Sequence, residues 1–591
     1  MNLPDTFERY REVWVVDTEF GTSPGDPVRP VCLAAKELRT GQIFNLWQDD
    51  LPRFSSLPIG CGEDDLFVSY QAGAECSFLL AQNWPLPRNV LCLYAEHQSQ
   101  WSGREGQGKL SWSLLEALAH YGLETRDVET KARMVDLIIS TTEYTDEQAT
   151  AIQGYCLDDV LDEIRLFVHV VANAEFELSQ ALVRGEYMKC CAKIEHRGIP
   201  IDVAFRDAVR DNLWRISEAL VTETDKNYGI CKGLEINRAL FDQWLCTQCI
   251  PWPRLRSGAL DMQADTFHEM AHTFPEIKPL YQLKTTLTLL RKFPLTVGQD
   301  GRNRCYLNPF GSKTSRNQAS TNKNVFGPSK WVRSLIKPAE GRAVAYIDFC
   351  QEEFAIAAYL SGDQNMILCY ESGDPYLTWA KLTGAAPETA TKETHKEVRK
   401  RYKVAVLALQ YGAGLKKMAL QMAVSEHEAR LLLQEHRDTF HTFWEWTRKM
   451  GDNAVARQEW VTVLGWHHHL CYEVSPNQLL NFPIQSNAGD VLRVATIMAE
   501  RKGIEVLWLV HDALLIEADA DHIEEATRKT EEAMQEASSL VLRGDKVTGP
   551  RLRVESKIVR WPDRFVDEDG QENWELIMGL ISKGTVLNSG V

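Results

Sequence analysis

The chain contains no apolar run long enough to cross a membrane, and its opening, MNLPDTFERY, lacks the apolar core of a secretory signal. It also contains no tandem repeat and no low-complexity tract. These absences exclude transmembrane, fibrous and solenoid architectures. We therefore expect a globular protein that works in a cytoplasm and has no membrane partner.

The fourteen cysteines follow no regular spacing, which favours a reducing compartment over a disulfide framework. Cys246 and Cys249 form one CxxC pair, but no second pair stands at zinc-finger spacing. The triplet His467, His468 and His469 follows the strand-like segment WVTVLG, and we interpret it as a polar turn. Structural zinc is therefore not predicted.

Positive charge is scarce overall but concentrated in one segment. The 82 acidic residues outnumber the 65 basic ones, giving a formal charge of −17, which argues against a general nucleic-acid coat. Between Lys284 and Lys337, however, eleven Lys or Arg residues stand against a single acid, Asp300. That segment could neutralise several backbone phosphates.

A chain of 591 residues is too long for one core and predicts several domains. Strand-like runs (VWVVD, LFVSY, NVLCLYA) alternate with helical patterns as far as a long helix at 146–171, which predicts an α/β domain over residues 1–171. Helical patterns then dominate to about 295. After Lys337 the segments AVAYIDF and IEVLWLVHDALLIEA predict strands, with a helical block at about 374–450 between them. The fold class is thus multidomain, α/β followed by α+β.

The run RKRYKVAVLALQYG places Arg399, Lys403 and Tyr411 at steps of four and eight on a predicted helix. At 3.6 residues per turn these side chains share one face. Arg and Lys on one face can grip a polyphosphate, and an aromatic ring beyond them can meet a base or sugar. A solvated basic helix is the plainer interpretation of this segment taken alone.

Two aspartates end predicted strands. Asp348 closes AVAYIDF, and Asp512 sits in VHDA at the tip of the predicted hairpin. A pair of carboxylates held on adjacent strands can bind Mg²⁺ ions that stabilise the attacking and leaving oxygens of a phosphoryl transfer. Each aspartate alone is compatible with an ordinary turn residue.

A second carboxylate set lies near the start of the chain. Asp17 and Glu19 stand two apart on a predicted strand, where both point to one face. Tyr155 and Asp159 stand four apart on a predicted helix and again share a face. Carboxylates and a phenol so grouped can bind two metals and orient a water for phosphodiester hydrolysis. Surface acids on an α/β domain are the alternative.

The later motifs together resemble family A DNA polymerases, the group of bacterial DNA polymerase I and many phage replicases. The family's palm motif DYSQIELR corresponds to DFCQEEFA here, its fingers motif to the Arg399–Gly412 run, and VHDE to VHDA. TSR at 314–316 is similar to the family's TGR, and NFPIQ at 481–485 to a further motif. The resemblance covers about residues 194–558. The compact form without a 5′-nuclease segment resembles the phage members, which would place the protein in a host bacterial cytoplasm.

This resemblance implies roles for individual residues. Asp348 and Asp512 are implied metal ligands, and Glu353 is the implied gate against a ribose 2′-hydroxyl. Arg399 and Lys403 are implied ligands of the nucleotide phosphates. The remaining implied contacts with the nascent pair, the nucleotide and the DNA are Tyr411, Gln351, Leu407, Gly412, His511, Asn481, Gln485, Thr314 and Arg316.

Two positions depart from the family's pattern. Leu407 stands where the family usually has an aromatic ring that stacks on the incoming sugar, so we expect altered incorporation rate and altered discrimination against dideoxynucleotides. Ala513 stands in place of the accessory acid of VHDE.

The early set resembles the DEDDy proofreading exonucleases of the ribonuclease-H-like fold, which precede the polymerase in family A. Asp17 and Glu19 match DxE, and Tyr155 and Asp159 match Yx₃D. In the middle motif, SYQAGAECSF, Glu75 occupies the usual Asp position. The implied metal ligands of this domain are therefore Asp17, Glu19, Glu75 and Asp159. Asp158 is an alternative ligand that helical phase disfavours.

The resemblance implies an exonuclease domain at 1–171 and a right-hand polymerase at 172–591. Within the latter the thumb spans about 172–300, the palm about 301–373 and 451–591, and the fingers about 374–450. The expected protein extends primers with dNTPs and removes 3′ ends, using two Mg²⁺ ions per site with Mn²⁺ as a substitute. Its expected partners are primer–template DNA and dNTPs, and the sequence identifies no processivity factor.

Three other classes remain open at this point. An exonuclease-centred repair enzyme with a weak polymerase is motivated by Leu407 and Ala513. A non-catalytic DNA-binding scaffold would not need the carboxylate sets. A single-subunit RNA polymerase is opposed by Glu353 and by the exonuclease motifs.

Overall fold

The structure is a computed structural model that describes residues 3–588 apart from 105–111, 292, 294, 321–322, 328, 411, 413, 423, 471–474 and 545. The side chains of 272, 476 and 583–588 also lie outside the description. Tyr411 is therefore a predicted site residue outside the described residues.

The N-terminal unit is built on a five-stranded sheet. Its strands are β1 (Glu12–Gly21), β2 (Arg29–Glu37), β3 (Ile43–Trp47), β4 (Asp65–Ser69) and β5 (Asn89–Cys92). Their order is β3-β2-β1-β4-β5, with β1 antiparallel to β2 and parallel to β4. Strand β4 is buried throughout and β1 over most of its length, as expected for strands in a sheet covered by helices.

Five helices accompany this sheet: α1 (Ala72–Ala81), α2 (Leu93–Trp101), α3 (Leu114–His120), α4 (Val128–Ser140) and α5 (Asp146–Ala172). The predicted long helix at 146–171 is confirmed as α5, which begins with a capping box at Thr145 and Gln148. The prediction of one strand through NVLCLYA is wrong at its end. The strand stops at Cys92, and the rest of the segment opens α2, because the short apolar run carries no period that separates strand from buried helix.

The next segment is mostly helical, as predicted. Its helices are α6 (Leu178–Arg197), α7 (Val203–Asp211), α8 (Leu213–Asp225), α9 (Arg238–Thr247), α10 (Ala264–Thr273) and α11 (Lys278–Leu290). Four two-residue strands accompany them: β6 (Ile199–Pro200), β7 (Cys231–Lys232), β8 (Glu235–Ile236) and β9 (Arg302–Asn303). Helices α9 and α10 enclose a small core of their own, which includes Phe241, Trp252 and Phe267.

A second sheet positions the later motifs. Strand β10 (Arg342–Phe349) is followed by helices α12 (Glu352–Ser361) and α13 (Gln364–Glu371). The helical block predicted at 374–450 is confirmed as α14 (Pro375–Leu382), α15 (Lys396–Gln410), α16 (Leu415–Gln421), α17 (Glu426–Thr439) and α18 (His441–Arg457).

The interpretation of the histidine triplet as a turn is wrong. His467–His469 forms strand β12, which pairs antiparallel with β11 (Glu459–Val461). The turn lies earlier, in the apolar-looking stretch at 462–466, where Gly465 has a φ of +68°. The period-2 pattern of WVTVLG thus overstated the length of the first strand.

The remaining elements include the other three strands of the second sheet. They are α19 (Pro476–Arg501), β13 (Glu505–Val510), β14 (Ala513–Asp519), α20 (Ile523–Val541), β15 (Val554–Arg560) and α21 (Gln571–Asn588). The sheet order is β13-β14-β10-β15, and all three pairings are antiparallel. The predicted hairpin of two strands around Asp512 is confirmed. Among the described residues, no helix is long and apolar enough to span a membrane.

Candidate functional site

Two aspartates meet at one edge of the second sheet. Asp348, near the end of β10, pairs in register with Ala513, the residue after Asp512. The backbone N–H of Phe349 donates to the carbonyl oxygen of Asp512 at 3.3 Å. Burial first, and then the neighbouring Asp512, raise the pKa of Asp348 to about 8, and burial also raises the pKa of Asp512. The two carboxyl groups therefore repel each other when both are ionised.

Two further acids at this edge were missed by the sequence reasoning. Glu352 is 1% exposed, and burial and then the charge of Asp512 raise its pKa well above the usual range. Glu555, on β15, pairs in register with Asp348 and adds to its raised pKa. Glu352 stands within DFCQEEF and could have been found from its spacing. Glu555 could not, because its strand lies two hundred residues away in the chain.

The turn that carries Thr314 and Arg316 reaches this same edge. Arg316 forms an ion pair with Glu353 at 3.2 Å, and its Nε donates to the carbonyl oxygen of Gln485 at 3.0 Å. Its charge also lowers the pKa of Asp512, partly offsetting the effect of burial. The structure thus brings together Arg316, Glu353, Gln485 and Asp512, which the sequence placed in four separate motifs.

The backbone at two predicted site residues is left-handed. Gln351 has a φ of +49° and His511 a φ of +51°. Non-glycine residues in this region are uncommon and concentrate at functional sites. The Gln351 Oε1 accepts a hydrogen bond from Arg553 at 2.9 Å, and His511 is exposed beside Asp512.

The predicted basic helix is confirmed as α15. Arg399 forms an ion pair with Asp374 and lies 5.6 Å above the ring of Tyr376. Lys403 is exposed on the same helix, and Leu407 is partly buried. Gly412 follows the helix with a φ of +66°, and a Cβ there would lie 2.6 Å from the Asn477 side chain, so only glycine fits.

Charge interactions link helix α15 to the aspartate edge. Tyr376 lies under Arg399, and its pKa is raised by burial and, to a smaller extent, by the charge of Glu353. Glu353 in turn is paired with Arg316. Asn481 and Gln485 lie along α19, on either side of an internal proline, Pro483.

A second carboxylate centre lies in the N-terminal unit. Ligand atoms of Asp17 and Glu19 on β1 and of Asp159 on α5 all lie within 4.8 Å of one another. Burial raises the pKa of Asp17 to about 6, and burial followed by Asp17 raises that of Glu19 well above its usual range. Asp158 is exposed, in agreement with its helical phase.

Glu75 and Tyr155 lie at the same centre. Glu75, on α1, is 3% exposed, and burial and then Asp17 raise its pKa well above the usual range. The preceding Gln71 caps α1 by accepting from the Ala74 N–H at 3.1 Å. Tyr155 is 8% exposed, and the charges of Glu19 and Asp17 act on its hydroxyl.

Three residues of this centre were missed. Glu163 lies one helical turn beyond Asp159, is 1% exposed, and faces Asp17 and Glu75 closely enough for both to raise its pKa after burial. Arg126 and Lys131 approach from the other side: both form ion pairs with Asp159 and both lie near the ring of Tyr155. Glu163 could have been found from its position four residues after Asp159 on the same helix. Arg126 and Lys131 could not, because no sequence motif links them to the carboxylates.

Both centres have the polar character of a cation site. Several of their carboxylate oxygens are buried without a hydrogen-bond partner among the described residues: Asp17 Oδ2, Glu75 Oε2, both oxygens of Glu163, Asp348 Oδ1 and both oxygens of Glu352. Buried, unpaired carboxylates are costly unless a metal or a proton neutralises them. Oxygen-only donor sets of this kind suit hard divalent ions such as Mg²⁺ and Mn²⁺.

The fold and these centres define a multidomain α/β protein of the polymerase type, and comparison with known proteins gives the family. A family model described as DNA polymerase family A matches residues 253–557, just over half of the chain. The chain therefore belongs to DNA polymerase family A.

Individual relatives agree with this assignment. The thermostable DNA polymerase I of Thermus thermophilus is 23% identical over 383 residues, which is 59% of this chain and 45% of that protein. That of Thermus filiformis is 22% identical over 518 residues, 79% of this chain and 61% of that protein. This chain thus matches about half of the length of such relatives.

A solved structure agrees in fold. The POL domain of Pol1 from M. smegmatis, in complex with DNA primer-template and dNTP, superposes with a TM-score of 0.66 at 18% identity. The superposition covers 93% of this chain and 95% of that one.

Proposed function

We propose that this protein is a DNA-directed DNA polymerase that extends a primer with dNTPs. One observation carries the proposal: side chains from four distant motifs are linked by contacts and charge interactions from the basic helix to the paired aspartates. Arg399 lies over the ring of Tyr376, the charge of Glu353 acts on Tyr376, Glu353 is paired with Arg316, and the charge of Arg316 acts on Asp512. Family membership supports this proposal.

In this proposal each residue acts through its charge and position. Asp348 and Asp512 would hold the divalent ions, which when bound neutralise the charge that develops on the transferring phosphoryl group. Arg399 and Lys403 bind the triphosphate, and Arg399 must exchange its partner Asp374 for a phosphate. Thr314, Arg316, Asn481, Gln485 and His511 contact DNA around the primer end. Gln351, held by Arg553, is proposed to keep the turn after β10 in its left-handed form. Positioning and charge, rather than a general base, account for most of the catalysis.

The N-terminal unit is proposed to be a 3′–5′ exonuclease of the DEDDy type. Asp17, Glu19, Glu75 and Asp159 would hold its ions, and Tyr155 would orient the attacking water. Arg126 and Lys131 are both paired with Asp159 and would turn toward the phosphodiester when ions bind. The proposed domain bounds remain 1–171 and 172–591, with thumb, palm and fingers as given above.

The test of the polymerase is direct. Purified protein is incubated with a labelled primer–template, Mg²⁺ and all four dNTPs, with EDTA as the control. Mg²⁺-dependent lengthening is expected. Shortening without lengthening would favour the exonuclease-centred repair enzyme that Leu407 and Ala513 suggest.

Glu353→Ala is expected to raise ribonucleotide incorporation relative to dNTP by about 10- to 100-fold, because the Glu353 side chain fills the space that a 2′-hydroxyl needs. The measurement is the ratio of kcat/KM for one rNTP and its dNTP. Glu353→Gln keeps the bulk and is the matched control, with a change of less than about threefold. An unchanged ratio in the alanine variant would show that Glu353 is not the gate.

Leu407→Phe is expected to raise the incorporation rate by about three- to tenfold, since a stacked ring adds about 0.5 to 1.5 kcal/mol beyond its buried area. Leu407 is partly exposed on α15, so a larger side chain can extend from the helix without filling the core. Single-turnover kinetics at saturating dNTP measure the change, and Leu433→Phe on α17 serves as the control. A rate that is unchanged or lower would mean that this position does not meet the nucleotide.

A further inference from the structure

Outside the two carboxylate centres, one other cluster brings three metal-ligating atoms together among the described residues. Ligand atoms of Glu175, Glu459 and His469 all lie within 4.8 Å of one another. Glu175 lies in the link between α5 and α6, while Glu459 and His469 are directly paired residues of the β11–β12 hairpin. Side chains of a directly paired position project from the same face of a hairpin.

Two buried polar atoms of this cluster have no hydrogen-bond partner among the described residues. His469 is 8% exposed, and its Nε2 lies 3.3 Å from Glu175 Oε2, yet neither atom completes a hydrogen bond among the described residues. Glu175 and Glu459 together carry two negative charges, and Arg104, which is paired with Glu175, supplies one fixed positive charge, so the carboxylates exceed this fixed charge by one. A divalent cation would offset that excess.

The surrounding contacts orient the candidate ligands. Arg104 donates to the other oxygen of Glu175 at 2.9 Å, which leaves Oε2 for a cation. His467, two residues before His469 on the same face of β12, lies 3.1 Å from Glu459 through its Nδ1. Outer contacts of this kind fix ligand orientation in known metal sites.

We propose that Glu175, Glu459 and His469 form a zinc site that joins the link between α5 and α6 to the β11–β12 hairpin. One imidazole and two carboxylates suit Zn²⁺, and bonds of about 2.1 Å in tetrahedral geometry separate ligand atoms by roughly 3.4 Å. Side-chain movements of about an ångström would therefore bring the three ligand atoms to the separation that a bound Zn²⁺ requires. Water, or His467 after rotation, completes the coordination.

The cluster lies where the β11–β12 hairpin contacts the N-terminal unit, which indicates a structural role for the site. The hairpin already contacts the N-terminal unit through the His469 N–H and the Ser102 carbonyl at 2.8 Å, and through Ser102 Oγ and His468 Nδ1 at 2.8 Å. An ion shared by Glu175 and the hairpin would add a bond between the hairpin and the link that directly follows α5. Zinc would therefore fix the hairpin beside the end of the N-terminal unit.

The test measures bound Zn²⁺ in the full-length chain. Asp17→Asn and Asp348→Asn are placed in every protein so that the two carboxylate centres do not retain zinc. After gel filtration with a weak chelator, the parent of this set is expected to keep one Zn²⁺ per chain. His469→Gln and Glu459→Gln are each expected to lower the Zn²⁺ affinity by at least about 100-fold, while His522→Gln, an exposed histidine, keeps it.

Visible absorption of bound Co²⁺ and the melting temperature with and without Zn²⁺ are recorded on the same proteins. Zinc is expected to raise the melting temperature of the parent and of His522→Gln, but not that of the two ligand variants. A parent without bound zinc would overturn the proposal, as would equal retention in His469→Gln and Glu459→Gln. The glutamate cluster would then be an ion-pair network only.

Discussion

Asp348→Asn is expected to lower the rate of primer extension by about 1,000-fold or more. Asparagine keeps the size of the side chain and one oxygen but loses the charge that would hold a divalent ion, and metal stabilisation of a phosphoryl transfer amounts to several kcal/mol. Asp348 lies between the Asp512 turn and Glu555 in the sheet, and one of its carboxylate oxygens is buried without a hydrogen-bond partner among the described residues. Single-turnover extension at saturating dNTP measures the loss.

Two readouts separate this effect from damage to the fold. The affinity for primer–template should be unchanged or higher, because an anionic group beside the DNA has been removed. Asp521→Asn, an exposed aspartate after β14, is the matched control and should extend at the parent rate. If Asp348→Asn kept more than about a tenth of the parent rate with Mg²⁺, Asp348 would not be a metal ligand.

Asp17→Asn is expected to abolish 3′-end degradation to a similar extent, about 1,000-fold, while extension continues. Asp17 is the shared member of its centre, since its ligand atom lies within 4.8 Å of those of Glu19 and Asp159 and its charge also acts on Glu75 and Glu163. Removal of its charge therefore weakens the ion site as a whole. Asp158→Asn, a change at the exposed neighbour of Asp159, is the control and should keep degradation.

The same substitution should stabilise the metal-free protein. Burial raises the folded-state pKa of Asp17 from 3.8 to about 6, so the folded chain binds the proton more tightly than the unfolded chain. The free energy of unfolding consequently falls as the pH rises from 3.8 to about 6, and the whole penalty is present above that range. Asp17→Asn removes a penalty on the order of 1 to 3 kcal/mol near neutral pH.

Denaturant unfolding in EDTA checks this expectation. The variant should gain stability over the parent at about pH 7.5 and much less at about pH 4. Added Mn²⁺ should reverse the order, because only the parent binds it tightly at this centre. A variant that is less stable than the parent in EDTA would mean that the contacts of the Asp17 carboxylate outweigh the cost of its burial.

Much of the architecture followed from the sequence because its signals are local. The 27-residue helix α5 was predicted from its period, and the hairpin around Asp512 from two apolar runs and a turn. The basic helix α15 was placed correctly by its uninterrupted pattern. Each of these depends on the order of residues within a single element.

The incorrect or missing predictions depend instead on contacts between separate elements. NVLCLYA changes from strand to helix without a change in pattern, and the histidine triplet became a strand because β11 lies opposite it. Glu555 beside Asp348 and Arg126 beside Asp159 are brought in from other elements. Contacts of this kind are set by tertiary pairing, which no window of sequence contains. The roles of the site residues remain predictions, since geometry places them together without assigning chemistry.

The most direct test of two separate carboxylate centres in one chain uses a primer–template with a labelled 5′ end. The parent, Asp348→Asn and Asp17→Asn are each incubated with Mg²⁺, first without and then with all four dNTPs, and product lengths are compared. The account predicts that the parent shortens the primer without dNTPs and lengthens it with them, that Asp348→Asn only shortens, and that Asp17→Asn only lengthens. Loss of both activities in either variant, or a parent that never lengthens the primer, would contradict it.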